Sequence, residues 1–152
     1  MESSIVYLCQ PGPSDTPDDP APHRATRLLR GTRILVIEDE FLIATVIEDV
    51  VRQAGAQEVI IAVNMQEARV ALAERALDLA IIDMHLDEGS DSGLILGRLA
   101  MGRDIPFVFL TGYTGVVLPD GFTAVPVLTK PYIPRALVEA LGDVLARAGR
   151  QP

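Results

Sequence analysis

The chain has 152 residues, 49% of them hydrophobic and 22% charged, proportions of one globular domain able to bury about two-thirds of its unfolded surface. A formal net charge of −8 argues against an electrostatic grip on nucleic acid. With Cys9 as the single cysteine and no apolar run of membrane-spanning length, neither an internal disulfide nor a membrane is expected, and the expected setting is the cytoplasm.

Residues 1–31 form a separate stretch, expected to be a disordered leader. Pro11, Pro13, Pro17, Pro20 and Pro22 crowd a segment that also holds Asp15, Asp18 and Asp19, and too little apolar surface is available there to offset the entropy of ordering. The sharper alternative makes Ile5–Leu8 a short docking peptide. Three of the thirteen basic and four of the twenty-one acidic residues precede residue 32, so the remaining domain still carries −7.

From Thr32 to Arg150 strands and helices alternate. Ile34–Ile37 reads as a buried strand, and Phe41–Ala54 as a helix closed by Gly55. In that helix Ile43, Val46, Ile47 and Val50 form the expected core stripe, with Phe41, Leu42 and Ala44 as surplus apolar residues. Residues 58–63 make the second strand. Asn64 and Glu67, three apart, read as a capping box opening a helix to about Arg75. Leu77–Ile82 is nearly continuous apolar sequence, the mark of a strand buried on both faces, and it stops on Asp83. A helix follows over Ser92–Met101, then a strand over Phe107–Leu110. Residues 125–128 read as the last strand, with Pro126 tolerable only at a sheet edge. The final helix, residues 133–148, repeats apolar residues at 133, 137, 140, 141, 144, 145 and 148.

One interval departs from the alternation. Residues 111–121 hold Gly112, Gly115, Gly121 and Pro119. Each interior Gly costs a helix roughly 1 kcal/mol and a Pro about 3 kcal/mol, so the fourth helix is expected to be short, loosened or mobile, and any conformational change to appear there. The predicted fold is α/β: a doubly wound, five-stranded parallel sheet of order 2-1-3-4-5, with helices on both faces.

In that order strands one and three are neighbours at the topological switch point, which brings Glu38, Asp39 and Asp83 together with Thr111 and Lys130 alongside. Three carboxylates in so small a space cannot all ionise cheaply, so either one keeps a proton or a cation sits among them. An all-oxygen set favours a hard ion, Mg²⁺ before Zn²⁺. A lysine, a hydroxyl and Mg²⁺ around a carboxylate suit the charge on a phosphoryl group, so the constellation reads as an aspartate that accepts phosphate.

The run Ile34–Glu40, the buried strand ending at Asp83, Leu110-Thr111-Gly112 and Thr129-Lys130-Pro131 together resemble a response-regulator receiver domain of the CheY-like superfamily, over about Thr32 to Arg150. The resemblance implies that Asp83 is the phosphoacceptor. It further implies that Glu38, Asp39, Asp83 and the backbone carbonyl of His85 bind Mg²⁺, and that Lys130 and Thr111 bind the phosphoryl group. The Lys130–Pro131 bond is expected to be cis. Pro106–Tyr113 is similar to the PFxFATGY subfamily of stand-alone receivers, with Leu110 where Ala is usual; no output domain follows residue 150, so a stand-alone role is expected. Such a protein is not a turnover enzyme but catalyses its own phosphorylation and dephosphorylation. The partners implied are a histidine kinase, often of the HWE type, or a histidine phosphotransfer protein, with a downstream protein target and a homodimer as further candidates.

Secondary roles follow for several residues. Val127 stands where receivers usually carry a switch aromatic, which puts the usual switching account in doubt. Tyr113 is either a replacement switch aromatic or a core plug. His85 either tunes loss of the phosphoryl group or faces solvent, the latter favoured. Asp87 and Glu88 read as a solvated acidic loop. Phe41, Leu42, Pro131 and Tyr132 are candidates for a docking rim. Three rivals remain. A haloacid-dehalogenase-type phosphatase would want an acid where His85 stands. A flavodoxin-like binder would want a phosphate-cradling loop where Glu38-Asp39-Glu40 stands. The third rival is a pseudo-receiver acting as an unphosphorylated protein-binding module.

Overall fold

The computed structural model describes residues 28–86 and 91–150. Five parallel strands, β1 (Arg33–Ile37), β2 (Glu58–Ala62), β3 (Leu79–Asp83), β4 (Phe107–Thr111) and β5 (Val127–Thr129), pair in the order β2-β1-β3-β4-β5. Four helices are present among the described residues: α1 (Phe41–Gln53), α2 (Met65–Glu74), α3 (Ser92–Met101) and α4 (Pro134–Arg147). The alternation of side chains along each strand divides the core in two. Ile34 and Val36 of β1, Leu79 and Ile81 of β3, and Val108 and Leu110 of β4 pack under α1 and α4. Leu35, Ile37, Ala80, Ile82, Phe107 and Phe109 pack on the opposite face under α2 and α3. This is the architecture expected from the strand–helix alternation.

Local signals act as expected at several ends. Gly55 takes φ 105° just past α1, a conformation that costs a side-chain-bearing residue dearly. Asn64 caps α2, its side chain accepting the Glu67 N–H at 2.8 Å. In return the Glu67 carboxylate accepts the Val63 N–H at 3.0 Å, one residue before the cap.

Elsewhere the structure corrects the sequence reading. Leu29 lies within the stretch assigned to the leader yet is fully buried, its N–H bonded to the Ala54 carbonyl at 3.1 Å, so packing begins before Thr32. The Ile5–Leu8 docking peptide and the Asp87–Glu88 loop lie outside the described residues. On α1 the stripe is Ala44, Ile47 and Val51, flanked by half-buried Ile43 and Val50. Val46, expected inside, is exposed, and Ala44, expected to be surplus, is core. The last strand begins two residues later than expected. Pro126 sits just before it, its carbonyl accepting the Phe109 N–H at 2.9 Å, a position that needs no donor from the proline itself. Ile133 is extended rather than helical (φ −80°, ψ 141°) and exposed, because the helix starts at Pro134; Ala148 at the far end is exposed as well, and Val138 joins the buried face.

Between β4 and β5 the chain makes bends and turns and no helix at all. Gly115 and Gly121 adopt φ 72° and 94°, conformations incompatible with a right-handed helix. The Phe122 ring is the segment's deepest anchor, buried against Phe107 and Phe109 with centroids 6.5 and 5.7 Å away, and Val116, Leu118 and Val125 pack half-buried against the same core. Room for that ring exists because α3 presents Gly97, where a Cβ would lie 2.9 Å from both the Phe109 and the Phe122 rings.

Candidate phosphoryl-accepting site

The site is built at the carboxyl ends of β1, β3 and β4. Strands β1 and β3 pair with Ile37 beside Ile82, so the residues that follow, Glu38 and Asp83, emerge side by side. Glu38 is pinned by its N–H bond to the Ala62 carbonyl at 3.1 Å. The ladder between β4 and β5 continues one step past the sheet: the Lys130 N–H reaches the Thr111 carbonyl at 2.7 Å, and this turns the lysine back toward the acids. The Lys130–Pro131 peptide is cis, as the resemblance implied.

Glu38, Asp39 and Asp83 each place a carboxylate oxygen within 4.8 Å of the other two. Glu38 and Asp83 are buried and Asp39 is exposed. Lys130 Nζ donates to Glu38 Oε2 at 2.7 Å and to Asp83 Oδ2 at 3.3 Å. Asp83 Oδ1 accepts the His85 N–H at 3.0 Å, and Glu38 Oε1 the Glu40 N–H at 3.3 Å. Thr111 is fully buried at the end of the neighbouring strand, its Oγ1 accepting the Tyr113 N–H at 3.1 Å.

The electrostatics follow from this crowding. Burial pushes the Glu38 carboxyl up to about 7; the Lys130 hydrogen bond opposes the shift and the Asp83 charge adds to it. Burial would lower the Lys130 ammonium, but the Glu38 hydrogen bond and the Asp83 and Glu38 charges outweigh it and raise it. The Tyr132 phenol is raised, chiefly by burial. Three carboxylates facing one ammonium leave a surplus of negative charge, and a set of oxygen donors at this spacing fits a hard divalent cation such as Mg²⁺.

The remaining candidates divide. Phe41 and Leu42, 63% and 79% exposed, stand at the start of α1 just beyond Glu40, and exposed Val46, one turn from Leu42, extends them along the helix. Pro131 is exposed, whereas Tyr132 is half-buried and packs against the core beneath α1 and α4. Val127 is half-buried against the other core cluster, paired with Phe109. Tyr113 is not a core plug: it is 64% exposed. His85, expected to face solvent, is half-buried, and its ring lies 4.7 Å from that of Tyr113 at a 59° tilt. Sequence reasoning placed both aromatics but missed their pairing; two rings, one two residues after Asp83 and one two after Thr111 on adjacent strands, were the available signal.

No family model matches the chain. It is 32% identical over 124 residues to the phosphate regulon transcriptional regulatory protein PhoB of Pseudomonas aeruginosa, a match covering 78% of this chain and 54% of that protein. The chain thus spans about half the length of this curated relative. Among solved structures, the response regulator PhyR from Brucella abortus matches with a TM-score of 0.70 and 27% identity, over 84% of this chain and 52% of that one. A CheY-like response regulator receiver domain protein from Methanospirillum hungatei shares the fold with a TM-score of 0.67 at 23% identity, over 78% of this chain and 97% of that one.

Proposed function

We propose that this chain, a member of the CheY-like receiver superfamily, accepts a phosphoryl group from a phosphohistidine partner onto Asp83 and signals through protein–protein interaction. Receiver domains are signalling proteins rather than turnover enzymes, and on this reading the chain only catalyses its own phosphorylation and dephosphorylation. The observation that carries the reading is the position of Lys130, whose ammonium reaches both Glu38 and Asp83 at the edge of a three-carboxylate cluster. An ammonium and three acids at one sheet switch point suit a dianion that arrives together with a divalent cation.

In the transfer, a carboxylate oxygen of Asp83 forms the new bond to phosphorus while the nitrogen–phosphorus bond of the donor imidazole breaks. The imidazole nitrogen leaves with the bonding electron pair and takes a proton from water. Mg²⁺, held by Glu38, Asp39, Asp83 and the His85 carbonyl, would supply neutralising charge to the phosphoryl oxygens. Lys130 shifts from the acids to the phosphoryl group, and Thr111 bonds to it after transfer. The donor is a histidine kinase or histidine phosphotransfer protein. The stand-alone role rests on the likeness of Pro106–Tyr113 to the PFxFATGY receivers.

Incubation with a small acyl phosphate and Mg²⁺, followed by intact-mass measurement, tests the reading. The expected result is one phosphoryl increment that vanishes in Asp83→Asn and on chelation of Mg²⁺. No increment in the native chain would leave the pseudo-receiver, and an increment surviving Asp83→Asn would put the acceptor elsewhere.

A further inference from the structure

We infer that the His85–Tyr113 ring pair is a latch that holds the segment after β4 in its unphosphorylated position and is released by phosphorylation. The inference rests on Asp83 being the acceptor, but its first test does not require phosphate.

The contacts form a closed circuit. The Asp83 carboxylate accepts the His85 N–H, the His85 ring lies against the Tyr113 ring, and the Tyr113 N–H is given to Thr111 Oγ1. Both oxygens that anchor this circuit, on Asp83 and on Thr111, are the groups that the proposed reaction claims. Esterification of Asp83 changes the charge on the acceptor of the His85 N–H. The Thr111 hydroxyl donates to the phosphoryl oxygens, and the movement that brings it there carries its Oγ1 away from the Tyr113 N–H. Either event displaces one backbone donor and with it one ring of the pair.

No hydrogen bond to Nδ1 orients the histidine ring. Its Nδ1 is buried without a hydrogen-bond partner, the one such side-chain atom among the described residues. Buried polar atoms in folded proteins are nearly always paired, and an exception marks a strained or functional position. No hydrogen bond at Nδ1 orients the His85 ring, which leaves its contact with Tyr113 to do so, and the exposed Tyr113 ring rests on His85 in turn. Beyond it the next side chains against the core are Val116 and Leu118, both half-buried, ahead of fully buried Phe122, so Tyr113 governs the stretch from Gly112 to Gly115. Val127 has no ring with which to do so; in this chain the aromatic element of the switch lies on the strand-four side.

Amide hydrogen exchange on the full chain reads the latch directly. In the absence of phosphate, Tyr113→Ala and His85→Ala should each speed exchange across residues 112–115 by about three- to tenfold, the range expected for loss of an aromatic pair. Tyr113→Phe, which keeps the ring, should exchange like the native chain. Amides of β3 and β4 should be unchanged in all three, which separates unlatching from unfolding. In the native chain, phosphorylation with an acyl phosphate and Mg²⁺ should produce the same acceleration, and in Tyr113→Ala it should add less than about twofold. As a second readout, the His85 Nδ1 resonance should shift in Tyr113→Ala as the atom meets water. Native-like exchange in both alanine variants overturns the latch, as does a full additional response to phosphate in Tyr113→Ala. Failure of the acyl phosphate to label Asp83 strikes the proposed function, and the phosphate-free arm still decides the latch.

Discussion

The Lys130 ammonium lies 2.7 Å from Glu38 Oε2, closer than its 3.3 Å approach to Asp83. The lysine thus rests on the acid that is not the proposed acceptor, leaving Asp83 with the weaker half of a shared cation. Its partner Glu38 is among the most thoroughly buried polar side chains of the domain, and that burial has a consequence for stability.

Glu38 is raised from 4.5 to about 7, by burial first and by the Asp83 charge, against the pull of Lys130. The native state therefore keeps a proton that the unfolded chain has already released. The associated stability is full below pH 4.5 and is lost as the pH rises through about 7. In EDTA, the urea midpoint of the native chain should fall between pH 5 and 8, and Glu38→Gln should flatten that fall. Parallel pH profiles for the two proteins would show that Glu38 does not carry it.

A carboxylate of the opposite kind sits at the other end of the sheet. Burial pushes the Asp78 carboxyl up, but hydrogen bonds from the Arg33 side chain and backbone, with the charges of Arg33 and Arg150, outweigh it and hold it below its ordinary value. Its contribution is present at neutral pH and lost as the pH falls through the depressed value. Asp78→Asn should cost about 1 kcal/mol near pH 7, a partly exposed pair with backbone support, and the difference from the native chain should close in acid. Equal loss at both pH values, read from urea melts, would assign the effect to packing.

Two glycines of α3 set the geometry beneath the site. A Cβ at Gly93 would lie 2.5 Å from the Met84 Cα and 3.1 Å from the Asp83 carbonyl oxygen, whereas at Gly97 it would meet ring atoms, those of Phe109 and Phe122 at 2.9 Å and of Phe107 at 3.2 Å. Rings can shift; the backbone next to Asp83 cannot without moving the acceptor. Gly97→Ala should cost about 1–3 kcal/mol, and Gly93→Ala more, with loss of acyl phosphate labelling even where the variant remains folded. The reverse order in chemical denaturation would contradict this account.

These contrasts show where the sequence is legible. Strand order and the convergence of Glu38, Asp39, Asp83, Thr111 and Lys130 followed from apolar runs that end on polar groups, because a parallel sheet leaves its functional residues at strand ends. Periodicity was less reliable where several apolar residues adjoin: Ala44 and Val46 are both plausible core residues by composition, and the face that α1 turns to the sheet is the one shared by Ala44, Ile47 and Val51. Pro126 and Ile133 misled because each lies just outside an element whose pattern it happens to continue. The position of Phe122 in the core depended on the space opened by Gly97 on another element, a tertiary fact that no local window contains. The His85–Tyr113 contact was hidden for the same reason.

The last prediction concerns how a phosphohistidine reaches Asp83. A small donor can diffuse into the site, but a phosphohistidine on a helix must bring a whole protein surface against the sheet end. Leu42, 79% exposed, stands there beside Phe41, with Val46 one turn on. An apolar patch next to a cluster of acids is an unusual surface to leave in water, and it suits a partner that contributes apolar side chains around its histidine. Leu42→Asp places a charge within that contact and adds to the negative field of Glu38, Asp39 and Asp83. Because Leu42 makes no core contact, the variant should stay within about 0.5 kcal/mol of the native stability. Labelling by an acyl phosphate should remain within about twofold. Transfer from a phosphorylated histidine protein should slow by about ten- to a hundredfold, the effect of losing one central apolar contact. The two assays run side by side decide the matter: unchanged transfer places the docking surface elsewhere, and equal losses in both show damage to the site itself.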